Sequence, residues 1–124
     1  CIRLWETLGS DISYLDLKDH DLILAMTSHL PHLISFALVS TLSESEINAN
    51  KIFSGGGLKD FTRIASSDVK MWKDIFIYNN ENILLALDKF IERISVLKKF
   101  IKDNDSEQLE MFIEEAKNFR DSNL

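Results

Sequence analysis

Ile83, Leu84, Leu87, Phe90, Ile91, Ile94, Leu97 and Ile101 recur at spacings of three and four. That period lays a wide apolar stripe along one face of an α-helix. A strand alternates faces at every residue and cannot present such a stripe. Lys98, Lys99 and Lys102 close the segment, which suits the negative end of a helix dipole. A helix this one-sided must be covered by other helices or by a second chain. The rest of the composition agrees with a folded domain. With 4 glycines and 1 proline in 124 residues, and 10% aromatics, the chain is neither disordered nor collagen-like. Its length suggests one domain. No continuous apolar run approaches the roughly 18 residues of a membrane span, so no segment is expected to cross a bilayer. One cysteine, Cys1, allows no internal disulfide. With no visible signal peptide, a reducing, cytoplasmic setting is expected.

Before the stripe the texture changes once. Residues 1–8 read as a short helix ending at Gly9, and Ile12, Tyr14 and Leu15 as a short strand, the texture of an α/β domain. From His20 onward every segment reads as helix. The first long one runs from about Asp21 to Leu42, with Asp19 or Asp21 near its cap. Pro31 should kink it within Thr27–His32, by removing a donor and crowding the carbonyl of Thr27. Ser43-Glu44-Ser45-Glu46 has capping-box spacing and should open a second helix through Ile47 to Phe53, ended by Gly55-Gly56-Gly57. A short helix over Lys59–Ala65 follows, then one from Val69 to Tyr78 capped by Asp68. Asn79-Asn80 breaks the chain before the striped helix. Asp103-Asn104-Asp105 forms a turn, and a last helix starts near Asp105. The expected fold class is mainly α: a bundle of about six helices preceded by a short helix-strand segment.

Charge is uneven. Residues 1–50 carry 7 acids and 2 bases, residues 51–102 carry 6 and 10, and residues 103–124 carry 7 and 2, for a net charge of −6. An acidic chain is a poor partner for nucleic acid, which needs a cationic surface. The basic middle suits a small anion, or is simply a set of solvated helix faces.

Four groups could carry chemistry. His29 and His32 stand three apart and can share a helix face, as packed histidines, as donors to an anionic ligand, or as two ligands of a metal. Arg63 follows the glycines, and its planar fork suits a carboxylate. Asp60, three residues earlier, could hold the guanidinium in place or form an ordinary surface pair with it. The triple glycine lacks GxGxxG spacing and is no dinucleotide fingerprint, though it could bring bare backbone close to a ligand or merely end a helix. Trp72 suits a core, an interface or a ligand site.

His20-Asp21-x-x-x-Ala25-x-x-Ser28-His29-Leu30-Pro31-His32 is followed by Gly55-Gly56-Gly57-Leu58-Lys59-Asp60-Phe61-Thr62-Arg63-Ile64-Ala65 and by Trp72-Lys73-Asp74-Ile75 and Asn79. In order and spacing these segments resemble the C-terminal helical domain of the prephenate/arogenate (cyclohexadienyl) dehydrogenase family. The resemblance implies two parts. Residues 1–18 would be the end of a dinucleotide-binding domain, and residues 19–124 a helical dimerisation and substrate-binding domain. It implies an enzyme of tyrosine biosynthesis that oxidatively decarboxylates prephenate or arogenate with NAD or NADP, paired as a homodimer, with tyrosine a candidate inhibitor. Carried over by position, Arg63 would bind a carboxylate of the small dicarboxylate substrate. His29 and His32 would line the pocket, supported by Ser28. Gly56, Gly57 and Asp60 would shape the loop around ligand and arginine, and Trp72 would reach toward the partner's site. The family's cofactor motif and catalytic histidine belong to an upstream domain. No catalytic or cofactor-binding residue is therefore expected in this chain, which alone should be inactive and dimeric. The competing expectation is a stand-alone helical dimer or regulatory module that binds an aromatic acid without catalysis.

Overall fold

Pro31 marks a change of helical pitch rather than a simple bend. In the computed structural model, which describes residues 17–45 and 55–124, helix α1 (Leu17–Leu24) passes into a π-helical turn (Ala25–His29) and then into α2 (Leu30–Glu44). The Leu30 N–H bonds back five residues to the Ala25 carbonyl. Pro31 sits in the first turn of α2, directly after the widened turn, inside a helical run that is unbroken from Leu17 to Glu44. The interruption therefore begins at Ala25, earlier than the Thr27 expected from proline sterics. π-Turns insert an extra residue and widen the helix locally.

Other expectations shift in the same region. Asp19 and Asp21 lie inside the helix rather than at its cap, because α1 starts at Leu17. Ser43 and Glu44 finish α2 instead of opening a new helix. Ser45 leaves the helix in an extended conformation, and its N–H and hydroxyl both bond to the Leu42 carbonyl. The short helix and strand expected in residues 1–15, and the helix expected over Ile47–Phe53, lie outside the described residues. Lys18–Glu44 is long and apolar enough to cross a membrane by length and composition. That corrects the count of apolar runs, which Ser28, His29, His32 and Ser35 interrupt. These polar residues are where the helix packs within its own chain. The Ser35 hydroxyl, fully buried, donates to the Phe61 carbonyl at 3.2 Å.

The glycines stand where a helix begins. Gly55 is the extended residue before α3 (Gly56–Thr62), which tightens into a 3₁₀ turn (Arg63–Ser66). Helix α4 (Val69–Tyr78) starts as expected at Asp68, whose Oδ1 accepts the Met71 N–H at 2.9 Å. Asn79 ends α4, and α5 (Asn80–Lys102) follows directly. Among the described residues every regular element is helical, as a mainly α domain requires.

The chain separates into two units, one ending at Ala86 and one from Leu87 to Leu124. The first has a small core: Ala25, Leu30, Trp72, Ile83 and Ala86, with buried Ser35 and Asn79. The second is a helical hairpin. Its turn is specified at both ends. Asn104 takes φ 52°, the Asp105 N–H returns to the Phe100 carbonyl, and the Asn104 N–H bonds that of Ile101. This is the Schellman pattern of a helix C-terminus. Asp105 then caps α6 (Ser106–Asn123), its Oδ1 accepting the Gln108 N–H at 3.2 Å. Across the hairpin the Arg93 guanidinium lies 4.4 Å from the Phe112 ring centroid.

Candidate functional site

The widened turn and the first turn of α2 bring His29 and His32 to the same indole. His32 stacks on Trp72, with ring centroids 3.7 Å apart and planes 17° from parallel. His29 meets the same indole edge-on at 6.0 Å. Phe76, one turn further along α4, packs on Trp72 at 5.7 Å and on Phe36 at 6.1 Å. Such ring pairs contribute roughly 0.5–1.5 kcal/mol each beyond the area they bury. Trp72, expected to reach toward a partner, is 7% exposed and packed among its own chain's rings.

Each imidazole is held by its Nδ1. The His32 Nδ1 lies 2.8 Å from the Ser28 backbone carbonyl, which can only accept, so this nitrogen carries a proton. Ser28 meets His32 through its backbone carbonyl and not through its hydroxyl. His29 Nδ1 lies 3.2 Å from the Asn79 Nδ2, and the same amide nitrogen lies 2.9 Å from the Asp21 carbonyl. Asn79 Oδ1 in turn accepts from Asn82 at 2.9 Å. Burial lowers the His29 pKa below its ordinary 6.5, the neighbouring His32 lowers it further, and Asp21 opposes both. A cavity of about 490 Å³ opens beside His29 and Asn79, bounded also by Asp21, Met71, Asp74 and Tyr78.

The metal reading gains no third ligand: among the described residues no group of three His, Cys, Asp or Glu gathers around the pair. The arginine element stands apart from the ring cluster in character. Arg63 opens the 3₁₀ turn, and both it and Asp60 are exposed. Among the described residues no ion pair joins them. Gly56 and Gly57 are exposed at the start of α3, and a Cβ added to either would meet nothing within 4 Å. Nothing inside the described chain demands glycine there. The sequence reading gave no role to Asn79 or Ser35. Their signal was present: Ser28, His32 and Ser35 recur at helical spacing in an otherwise apolar helix, and Asn79 falls at a helix break.

These features define a class: a domain, helical throughout its described residues, whose core is organised around an imidazole–indole cluster. Residues 16–115 match the family described as prephenate dehydrogenase, dimerization domain. The chain belongs to that family. It is 33% identical over 117 residues to the prephenate dehydrogenase of Bacillus subtilis (strain 168), covering 91% of this chain and 32% of that protein. It is 34% identical over 119 residues to the cyclohexadienyl dehydrogenase of Zymomonas mobilis, covering 94% of this chain and 41% of the relative. Among solved structures it resembles the prephenate dehydrogenase of A. aeolicus in complex with hydroxyphenyl propionate and NAD+, at a TM-score of 0.85 and 41% identity. That likeness covers 97% of this chain and 43% of the other. The chain thus spans less than half the length of these relatives.

Proposed function

We propose that this chain is the dimer-forming and substrate-binding part of an NAD- or NADP-dependent dehydrogenase. The full protein would oxidatively decarboxylate prephenate, or the related arogenate, in the cytoplasmic synthesis of tyrosine. The observation that carries this reading is the pair of imidazoles ordered by Trp72, Ser28 and Asn79 within a domain of this family. Substrates of this class are anions with a ring. Fixing one in a single pose needs polar groups that are themselves held still. Here both imidazoles are pinned through Nδ1, leaving Nε2 of each for a ligand. Arg63 supplies the permanent charge for a carboxylate, and no carboxylate of the described chain occupies it.

The described residues do not fit a dinucleotide. The sequence has no GxGxxG, and the glycines of α3 follow no strand among the described residues. In this reading the cofactor is held outside this chain, and these residues bind and orient the substrate. The same reading makes the isolated chain inactive.

The test is Arg63→Ala in the full-length protein. A charge-assisted hydrogen bond to a carboxylate is worth about 1.5–3 kcal/mol. KM for prephenate should therefore rise roughly ten- to hundredfold with a smaller change in kcat. An unchanged KM removes Arg63 from the site. Absence of any turnover of prephenate or arogenate by the wild-type protein removes the reading itself.

A further inference from the structure

Three elements meet at Asn79. It terminates α4 with φ −102° and ψ 30°, and its carbonyl accepts the Ile83 N–H of α5 at 3.0 Å. Its carboxamide reaches α1 through the Asp21 carbonyl and His29 through Nδ1. The residue is only 6% exposed. A carboxamide buried to that degree must satisfy both of its ends.

Its orientation is dictated by an atom with no choice. The Asp21 backbone carbonyl only accepts, so the Asn79 atom 2.9 Å away is the amide nitrogen. Turning the amide over would set two oxygens against each other and point two donor amides, of Asn79 and Asn82, at one another. The second N–H of the correctly placed amide then faces His29 Nδ1. That ring nitrogen accepts, and the one proton of a neutral imidazole resides on Nε2. His32 has the reverse assignment, because its Nδ1 donates to the Ser28 carbonyl. Two histidines three residues apart therefore offer a ligand different atoms: an N–H from His29 and, when His32 is neutral, a lone pair from His32.

We propose that Asn79 is a positioning residue that locks His29 as an uncharged imidazole with its proton on Nε2, making it a fixed hydrogen-bond donor. The lock rests on geometry alone; only the contact of that donor with an aromatic acid rests on the function proposed above. Protonating His29 would break the lock, since Nδ1–H and the amide N–H would face each other. The groups around the ring are Asp21 from α1, His32 from α2, and Trp72, Asp74 and Tyr78 from α4. Burial and His32 disfavour the charge, and Asp21 alone among the causes of the shift favours it.

The deciding measurement is a two-bond ¹H–¹⁵N spectrum of the full-length protein at pH 7.5. His29 should show a protonated Nε2 and a bare Nδ1, and His32 the reverse. A His29 protonated at Nδ1, or averaged between the two forms, overturns the proposal without any variant. Asn79→Asp adds a second arm. Its carboxylate accepts from His29, so the proton should move to Nδ1 and the titration midpoint of His29 should rise by about one pH unit or more. His32 should keep its pattern. A His29 indifferent to this substitution also overturns the lock. Calorimetry with hydroxyphenyl propionate separates this idea from the function. Where the proton has moved, binding should weaken about tenfold, the order of one hydrogen bond to a charged group. A moved proton with unchanged binding would leave the lock standing and remove His29 from the ligand site.

Discussion

His29 and His32 are the same side chain put to opposite uses by their neighbours. What separates them is one accepting carbonyl against one donating amide. The amide is delivered from 50 residues away, and it is itself aimed by a carbonyl 58 residues from Asn79. This explains what could be read in the chain and what could not. The spacing of His29 and His32 put them on one face, and Pro31 placed an irregularity near them. Neither says which ring nitrogen carries a proton, because that depends on contacts closed only by the fold. The electrostatics give a prediction. His29 has its pKa lowered by folding, so the folded state binds fewer protons than the unfolded state below about pH 6.5. Stability from this site is fully present above pH 6.5 and declines as the pH falls below it. Thermal melts at pH 7.5 and 5.5 should show a larger loss of Tm on acidification for the wild type than for His29→Gln. Equal losses in both would show that His29 titrates without cost to the fold.

Among the elements, those best read from sequence are the ones whose ends are fixed locally. Asp68 and Asp105 cap their helices through N–H groups three residues on, a bond that local sequence alone can form. The striped helix likewise appears where its spacing put it, over Asn80–Lys102. Ser43 misled because capping-box spacing is a pattern, and a helix already in progress can run through it until its carbonyls find another stop at Ser45. Among the glycines, Gly55 takes φ −69° and ψ 169°, an extended entry into a new helix that any residue could adopt. Among the described non-glycine residues the left-handed position is Asn104. Asn104→Ala should destabilise the hairpin by about 1 kcal/mol, since a Cβ without a compensating polar group is strained there, whereas Asn104→Gly should be neutral or stabilising. Urea melts of the two variants should rank them in that order; the opposite ranking would contradict the assigned turn.

At the scale of the whole molecule, the apolar faces outnumber what either unit covers. In the second unit Ile91, Ile94 and Ile101 of α5 and Met111, Ile113 and Phe119 of α6 remain exposed, and in the first so do Leu22, Ile23 and Met26 of the long helix. Exposed apolar side chains on a helical hairpin suit an interface, and the family takes its description from dimerization. In the proposed homodimer the stripe that begins at Ile83 serves a core at its start and a partner beyond it. Ile94→Asp in the full-length protein should shift sedimentation from dimer toward monomer, while Glu92→Asp on the same helix should not. A wild type that sediments as a monomer would defeat the dimer reading outright. The contact between Trp72 and His32 also has an optical consequence. An imidazole stacked 3.7 Å from an excited indole quenches it, and emission recovers when the ring is drawn away, so the stack works as a built-in gauge of its surroundings. The chain has 2 tryptophans, so a Trp5→Phe background leaves Trp72 as this chain's only tryptophan emitter. Its brightness would then follow the filling of the neighbouring site in real time, with no label attached.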